Sequence, residues 1–325
     1  MTNKKKGSGL GPSIGGILVG FDQQIFRTTP PVNELVAKGA PLPSAAAAGG
    51  GRLTIGLPED GDGTDRLELS APGASATVDL VEGGRLASLV IAGHELLKTS
   101  GDGPITWGSF PMVPFAGRVR DAVLRFDGAE QHLPPTMPPH AIHGTVLDQP
   151  WVIVGESTIA TDLGPDWPFV GRAVQRFELG EDHLTCRLEL HADEPMPASI
   201  GWHPYFRRRL DGVDAALELD LDAGAMLVRD AAGITTDEAV EPGAGPWDDC
   251  FIDLRGSPVV RWPGFLELTV ESDCPAWVVY TVPEDAICVE PQTAPPNAVN
   301  THPTVVLPGE PLVAEMTWRW RSLAG

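Results

Sequence analysis

The stretch LTCRLEL sets Leu184, Cys186, Leu188 and Leu190 on one side of an extended chain and Thr185, Arg187 and Glu189 on the other. The same alternation returns in LELDLD (Leu217, Leu219, Leu221), in LELTVE (Leu266, Leu268, Val270) and near the end in MTWRWR (Met316, Trp318, Trp320). A period of two is the mark of a half-buried antiparallel strand, because successive side chains leave a strand on opposite faces. Between these runs lie turn signals: EGG at 82–84, FDG at 126–128, LDG at 210–212 and WPG at 262–264. With 32 prolines and 37 glycines in 325 residues, every candidate amphipathic helix is interrupted before it passes two turns. Many short strands separated by turns predict an all-β protein, one large antiparallel β-sandwich rather than two small domains.

Residues 1–65 differ in kind. GSGLGPSIGG, RTTPP, APLPSAAAAGGGR and PEDGDGTDR have the composition of an extended, irregular N-terminal segment. Within it GGILVGFDQQIF is the part suited to dock as an added strand. The sandwich is expected over 66–325. Lys4, Lys5 and Lys6 before a short apolar run are a weak echo of a signal peptide, but the run is short and SAAAAGGG lies too far downstream to serve as its cleavage site.

The balance of 23 Lys+Arg against 44 Asp+Glu gives a net charge of −21. Phosphate contacts depend on Lys and Arg, so neither a nucleic acid nor an anionic membrane is an expected partner. No apolar run approaches the roughly 18 residues that span a bilayer. Cys186, Cys250, Cys274 and Cys288 form no CxxC pair. They are expected as buried, reduced thiols in a cytoplasmic protein.

Four stretches break the alternation with polar residues that a plain strand does not need. They are SFPMVPFAGRVRD (109–121), HAIHGTVLDQPW (140–151), IGWHPYFRRRL (200–210) and CVEPQTAPPNAVN (288–300). Each sets a His, Arg or Glu beside Pro or Gly, where stiff backbone can position a reacting group. Pro291 follows Glu290 and excludes helix there, which predicts Glu290 at the end of a strand, at the mouth of a rigid loop. Taken singly, each residue has a plain alternative. His203 suits a core histidine bonded to a carbonyl, His143 a turn, Arg118 a surface ion pair, and Asp248 and Asp249 loop positions. There is no HExxH, HxH or EF-hand pattern, no GxSxG and no nucleotide-binding glycine loop, so no metal or cofactor is expected.

In order along the chain, the four stretches resemble the aldose 1-epimerase (galactose mutarotase) family. PFAGRVRD is similar to its arginine motif, HGTVLDQPW to its first histidine motif, GWHPYF to its second, EPQT to its closing glutamate motif, and WDDCF to its Asp-x-x-Phe motif. The likeness covers about residues 66–322. It departs from the family at Thr145, where Gly or Phe is frequent, and at Arg207, where Asn is frequent. The resemblance implies a β-sandwich with an open sugar cleft, a monosaccharide substrate, and cofactor-free interconversion of α and β anomers. It implies Glu290 as general base, His203 as general acid and His143 as a group steadying the charge, with Arg118 and Asp248 on sugar hydroxyls. Trp202 and Tyr205 are expected as a sugar-stacking face or as core. Two other readings stay open: a non-catalytic carbohydrate-binding protein on the same fold, and a hexose-phosphate epimerase using Arg207, Arg208 and Arg209. Oligomeric state is not legible.

Overall fold

Two large antiparallel sheets pack face to face. The protein is described by a computed structural model covering residues 65–323, so the N-terminal segment and its expected docking strand lie outside the described residues. The first sheet has eleven strands. Its centre is formed, side by side, by Arg85–Ile91, Ser109–Met112, Gly201–Arg207, Ala286–Gln292, Ala276–Tyr280 and Asp248–Leu254. The second sheet has eight strands, with Gly171–Leu179, His183–Ala192, Leu312–Ser322 and Leu266–Ser272 at its middle.

The alternating runs do what their pattern requires. Leu184, Leu188, Leu190, Met316, Trp318, Leu268 and Val270 are all fully buried, and Cys186 nearly so. The apolar faces of the two sheets meet along Phe206, whose ring centroid lies 4.9 Å from that of Trp318 and 6.5 Å from that of Trp262. The LELDLD run forms only the short strand Glu218–Asp220, at the sheet edge.

Helix is confined to Ala298–Thr301 and one 3-10 turn at Arg120–Ala122 among the described residues. FDG closes a two-residue hairpin in which Phe126 pairs with Ala129 and both Asp127 and Gly128 have positive φ, the geometry that matches strand twist. All four cysteines are free and buried. Among the described residues no helix is long and apolar enough to cross a membrane.

Candidate active site

The period of two divides the two strands that carry the central motifs. On Gly201–Arg207, Trp202 and Phe206 turn into the core between the sheets, and His203 and Tyr205 turn to the opposite face. On Ala286–Gln292, Ile287 and Val289 enter that core, while Cys288, Glu290 and Gln292 take the same outer face as His203. Register aligns the two sets. Gly201 pairs with Gln292 and Tyr205 with Cys288, which brackets His203 opposite Glu290. The result is a contact of 3.2 Å between His203 Nε2 and Glu290 Oε1, with both side chains almost wholly shielded from water.

Aromatic rings hold the imidazole in place. His203 lies between Phe110, at 4.8 Å and 26°, and Tyr205, at 4.8 Å and 12°. The Tyr205 hydroxyl donates to the Ile105 carbonyl at 2.6 Å, which ties that ring down. His143 meets His203 edge to face, with centroids 4.9 Å apart at 87°. It reaches this position through a left-handed backbone, φ 61°, a region in which His is enriched among non-glycine residues. Gly144 follows at φ 89°, and a Cβ there would lie 1.9 Å from the Val113 carbonyl oxygen, so only glycine fits.

Charges line one side. Arg118 Nη2 lies 3.3 Å from Asp248 Oδ2, and Arg229 reaches the same oxygen at 2.7 Å while its Nε donates to Asp249 at 3.0 Å. The register that pairs Leu227 with Cys250 sets Arg229 across from Asp248. Arg118, Asp248 and Arg229 keep about a quarter to a third of their side-chain surface in solvent, in contrast to the sealed His203–Glu290 pair.

Burial drives the proton affinities. Glu290 is pushed well above the usual carboxylate range, chiefly by desolvation and further by the charge of Asp248, against the opposing pull of Gln292 and Arg118. His203 falls to about 3 and His143 well below its ordinary value, both mainly through desolvation. The Nδ1 atoms of His143 and His203 and the Oε1 of Gln292 are buried without a hydrogen-bond partner. Unpaired buried polar atoms are rare, and three of the five among the described residues belong to this cluster.

The structure thus brings Glu290, His203, His143, Arg118 and Asp248 to one face of one sheet. Trp202 is a correction. It is 1 % exposed and donates its indole N–H to Gln175 of the opposite sheet at 2.8 Å, so it packs the core and offers no face to a sugar. Tyr205 stacks on the imidazole, which makes it a support for His203 rather than an open stacking surface. Glu290 is corrected in part: it is buried within its strand, not at a loop mouth, and neighbouring strands fix it more than the following prolines do.

Arg229 lies outside the quoted motifs, and Phe110 and Gln292 lie inside them without a role assigned from the sequence. Gln292 follows from Glu290 by the period of two, whereas Arg229 and Phe110 join the site only through cross-strand register. His203, Cys288 and Glu290 also place one nitrogen, one sulfur and one oxygen within 4.8 Å of one another, the compact set of possible metal ligands among the described residues. A separate hollow lined by Asp253, Arg255, Asp273 and Trp277 shares no residue with this site.

The model of the family described as aldose 1-epimerase matches residues 65–319, which is most of the chain. The chain belongs to the aldose 1-epimerase family. In fold it is similar to an aldose 1-epimerase candidate from Escherichia coli K12, with a TM-score of 0.69 and 21% identity over 79% of this chain and 99% of that one. It is also similar to the galactose 1-epimerase of Lactobacillus acidophilus, with a TM-score of 0.65 and 20% identity over 81% and 97%. Among curated proteins it is 34% identical over 104 residues to the uncharacterized protein YphB of Escherichia coli K12. That stretch covers 30% of this chain and 36% of YphB, so the chain matches only about a third of that relative's length.

Proposed function

We propose that this protein is an aldose 1-epimerase in activity as well as in family, acting on a free monosaccharide in the cytoplasm. The observation that carries the reading is the sealed His203–Glu290 contact of 3.2 Å with unpaired polar atoms around it. Opening a pyranose ring needs one proton removed and one delivered within one small site. Glu290 takes the proton from the C1 hydroxyl, the electron pair of that O–H bond becomes the C1=O π bond, the C1–O5 bond breaks, and O5 takes a proton from His203. Rotation about C1–C2 and the reverse transfers close the other anomer.

The pair carries the same net charge as carboxylate with imidazolium and as carboxylic acid with neutral imidazole. The closed sugar matches the first arrangement and the open aldehyde the second. His143 steadies the oxygen charge, and Arg118 and Asp248, about a quarter exposed, bond the hydroxyls farther from the reacting carbon. No cofactor enters this scheme.

A phosphorylated sugar is less well supported. Arg207 stands four positions from His203, roughly 13 Å along the strand at about 3.3 Å per residue. Its guanidinium pairs with Asp211, and those of Arg208 and Arg209 bond main-chain carbonyls.

Polarimetry of freshly dissolved α-D-glucose and α-D-galactose tests the proposal. Wild-type protein is expected to speed equilibration, with Glu290→Gln slower by about 10²–10⁴ yet still able to bind sugar. Acceleration undiminished in Glu290→Gln removes the base assignment. No acceleration with any free aldose leaves a phosphorylated sugar, or a binding protein on the same fold.

A further inference from the structure

Arg85 is fully buried, and among the described residues no carboxylate forms an ion pair with it. A guanidinium in that position is costly unless its N–H groups are taken up. Here three carbonyls accept them: Glu82 at 2.7 Å, Trp107 at 3.0 Å and Leu147 at 3.2 Å. Those carbonyls belong to three separate segments, one of which carries His143. The cation also lies 4.3 Å from the ring centroid of Trp107 and 5.4 Å from that of Phe110. Burial lowers its proton affinity to about 10, which leaves it charged near neutral pH.

Register explains why it is there. Leu86 pairs with Ser109, which sets Arg85 beside Phe110, and Phe110 pairs directly with His203. Arg85, Phe110, His203 and Glu290 therefore form one row across four adjacent strands. Space has been kept for the arginine: a Cβ on Gly108, at φ 71°, would lie 3.2 Å from Arg85 Cδ and 2.9 Å from the Leu86 carbonyl oxygen.

We propose that Arg85 is a positioning residue for anomer interconversion, acting through Phe110 to fix the plane of the His203 imidazole and through Leu147 to anchor the His143 loop. This rests on the mutarotase reading for its catalytic consequence only. The guanidinium locks Phe110 by a cation–π contact, Phe110 locks one face of His203, and Tyr205 locks the other. Arginine suits the place because its planar fork reaches three carbonyls at once, which the ammonium of lysine does not reproduce.

The test compares Arg85→Lys, Arg85→Met and Phe110→Leu by polarimetry, with the His203 ring resonances of the two Arg85 variants read by NMR on ¹⁵N-histidine protein. Arg85→Met and Phe110→Leu are expected to lower kcat about 10- to 100-fold, the cost of a misplaced reacting group. KM should stay within about threefold, Arg85→Lys should recover part of the loss, and the His203 resonances should move in both Arg85 variants. Wild-type kcat in folded variants overturns the proposal. So does a loss of kcat with unmoved His203 resonances, since the arginine would then act elsewhere. Should Arg85→Met fail to fold, Phe110→Leu reads the same row without exposing the three carbonyls. A wild-type protein inactive on every aldose defeats the mutarotase reading, and the His203 resonances still decide whether Arg85 positions that ring.

Discussion

His203 and Glu290 face each other from adjacent antiparallel strands, Nε2 to Oε1, at 3.2 Å, with both side chains buried. Burial raises the proton affinity of the carboxyl and lowers that of the imidazole. Such a pair titrates as a unit, with apparent values that belong to neither residue alone.

The pH profile follows in sign. In the proposed reaction, activity requires one proton on the pair. On the acid side it is lost when a second proton binds, which the depressed imidazole delays to well below an ordinary histidine value of about 6.5. On the alkaline side it is lost when the single proton leaves, and the raised carboxyl delays this to well above an ordinary glutamate value of about 4.3. A plot of kcat/KM against pH is therefore expected to be a broad bell spanning neutrality. A profile that falls through pH 6.5 as a simple histidine titration contradicts the shared-proton reading.

Asp248 acts on the pair from a distance. Its charge raises the proton affinity of Glu290, and Arg118 and Arg229 hold its carboxylate in place. Replacing it by asparagine removes a negative neighbour, stabilises the Glu290 carboxylate and moves the alkaline limb of the profile to lower pH. KM is expected to rise about tenfold as one hydroxyl contact is lost. Steady-state polarimetry over a pH series measures both, and an unmoved alkaline limb separates Asp248 from the proton pair.

Trp202 and His203 are neighbours in sequence and are expected to differ in effect. Trp202→Phe leaves the Gln175 carbonyl oxygen buried without its indole donor, a loss on the order of 1–3 kcal/mol. Thermal unfolding should show that loss, while KM for sugar stays within about threefold. A large rise in KM at unchanged stability places the indole in the sugar site after all.

Tyr205→Phe keeps the ring on His203 and loses only the bond to Ile105. A fall in kcat of less than about tenfold is expected, since the imidazole remains stacked on both faces. A loss as large as that of Glu290→Gln gives the hydroxyl a part in the chemistry itself.

Local pattern alone was enough to read the class of fold and to name the candidate side chains. Alternation at 184–190, 266–270 and 316–320 forces antiparallel strands with one apolar face, because that spacing can bury leucine and tryptophan only in an extended chain. The arginine, histidine, aspartate and glutamate motifs name five side chains that the fold brings to one sheet face. Tertiary structure alone decided how they are held. Strands distant in sequence become neighbours only when the sheet assembles, and register then sets Phe110 beside His203, Arg229 opposite Asp248 and Arg85 at the end of the row. The same pairing turned Trp202 into the core while His203 turned out of it, and it buried Glu290 between neighbouring strands. Local sequence fixes which residues share a face, whereas partner and depth are fixed by hydrogen bonds between strands that no local pattern specifies.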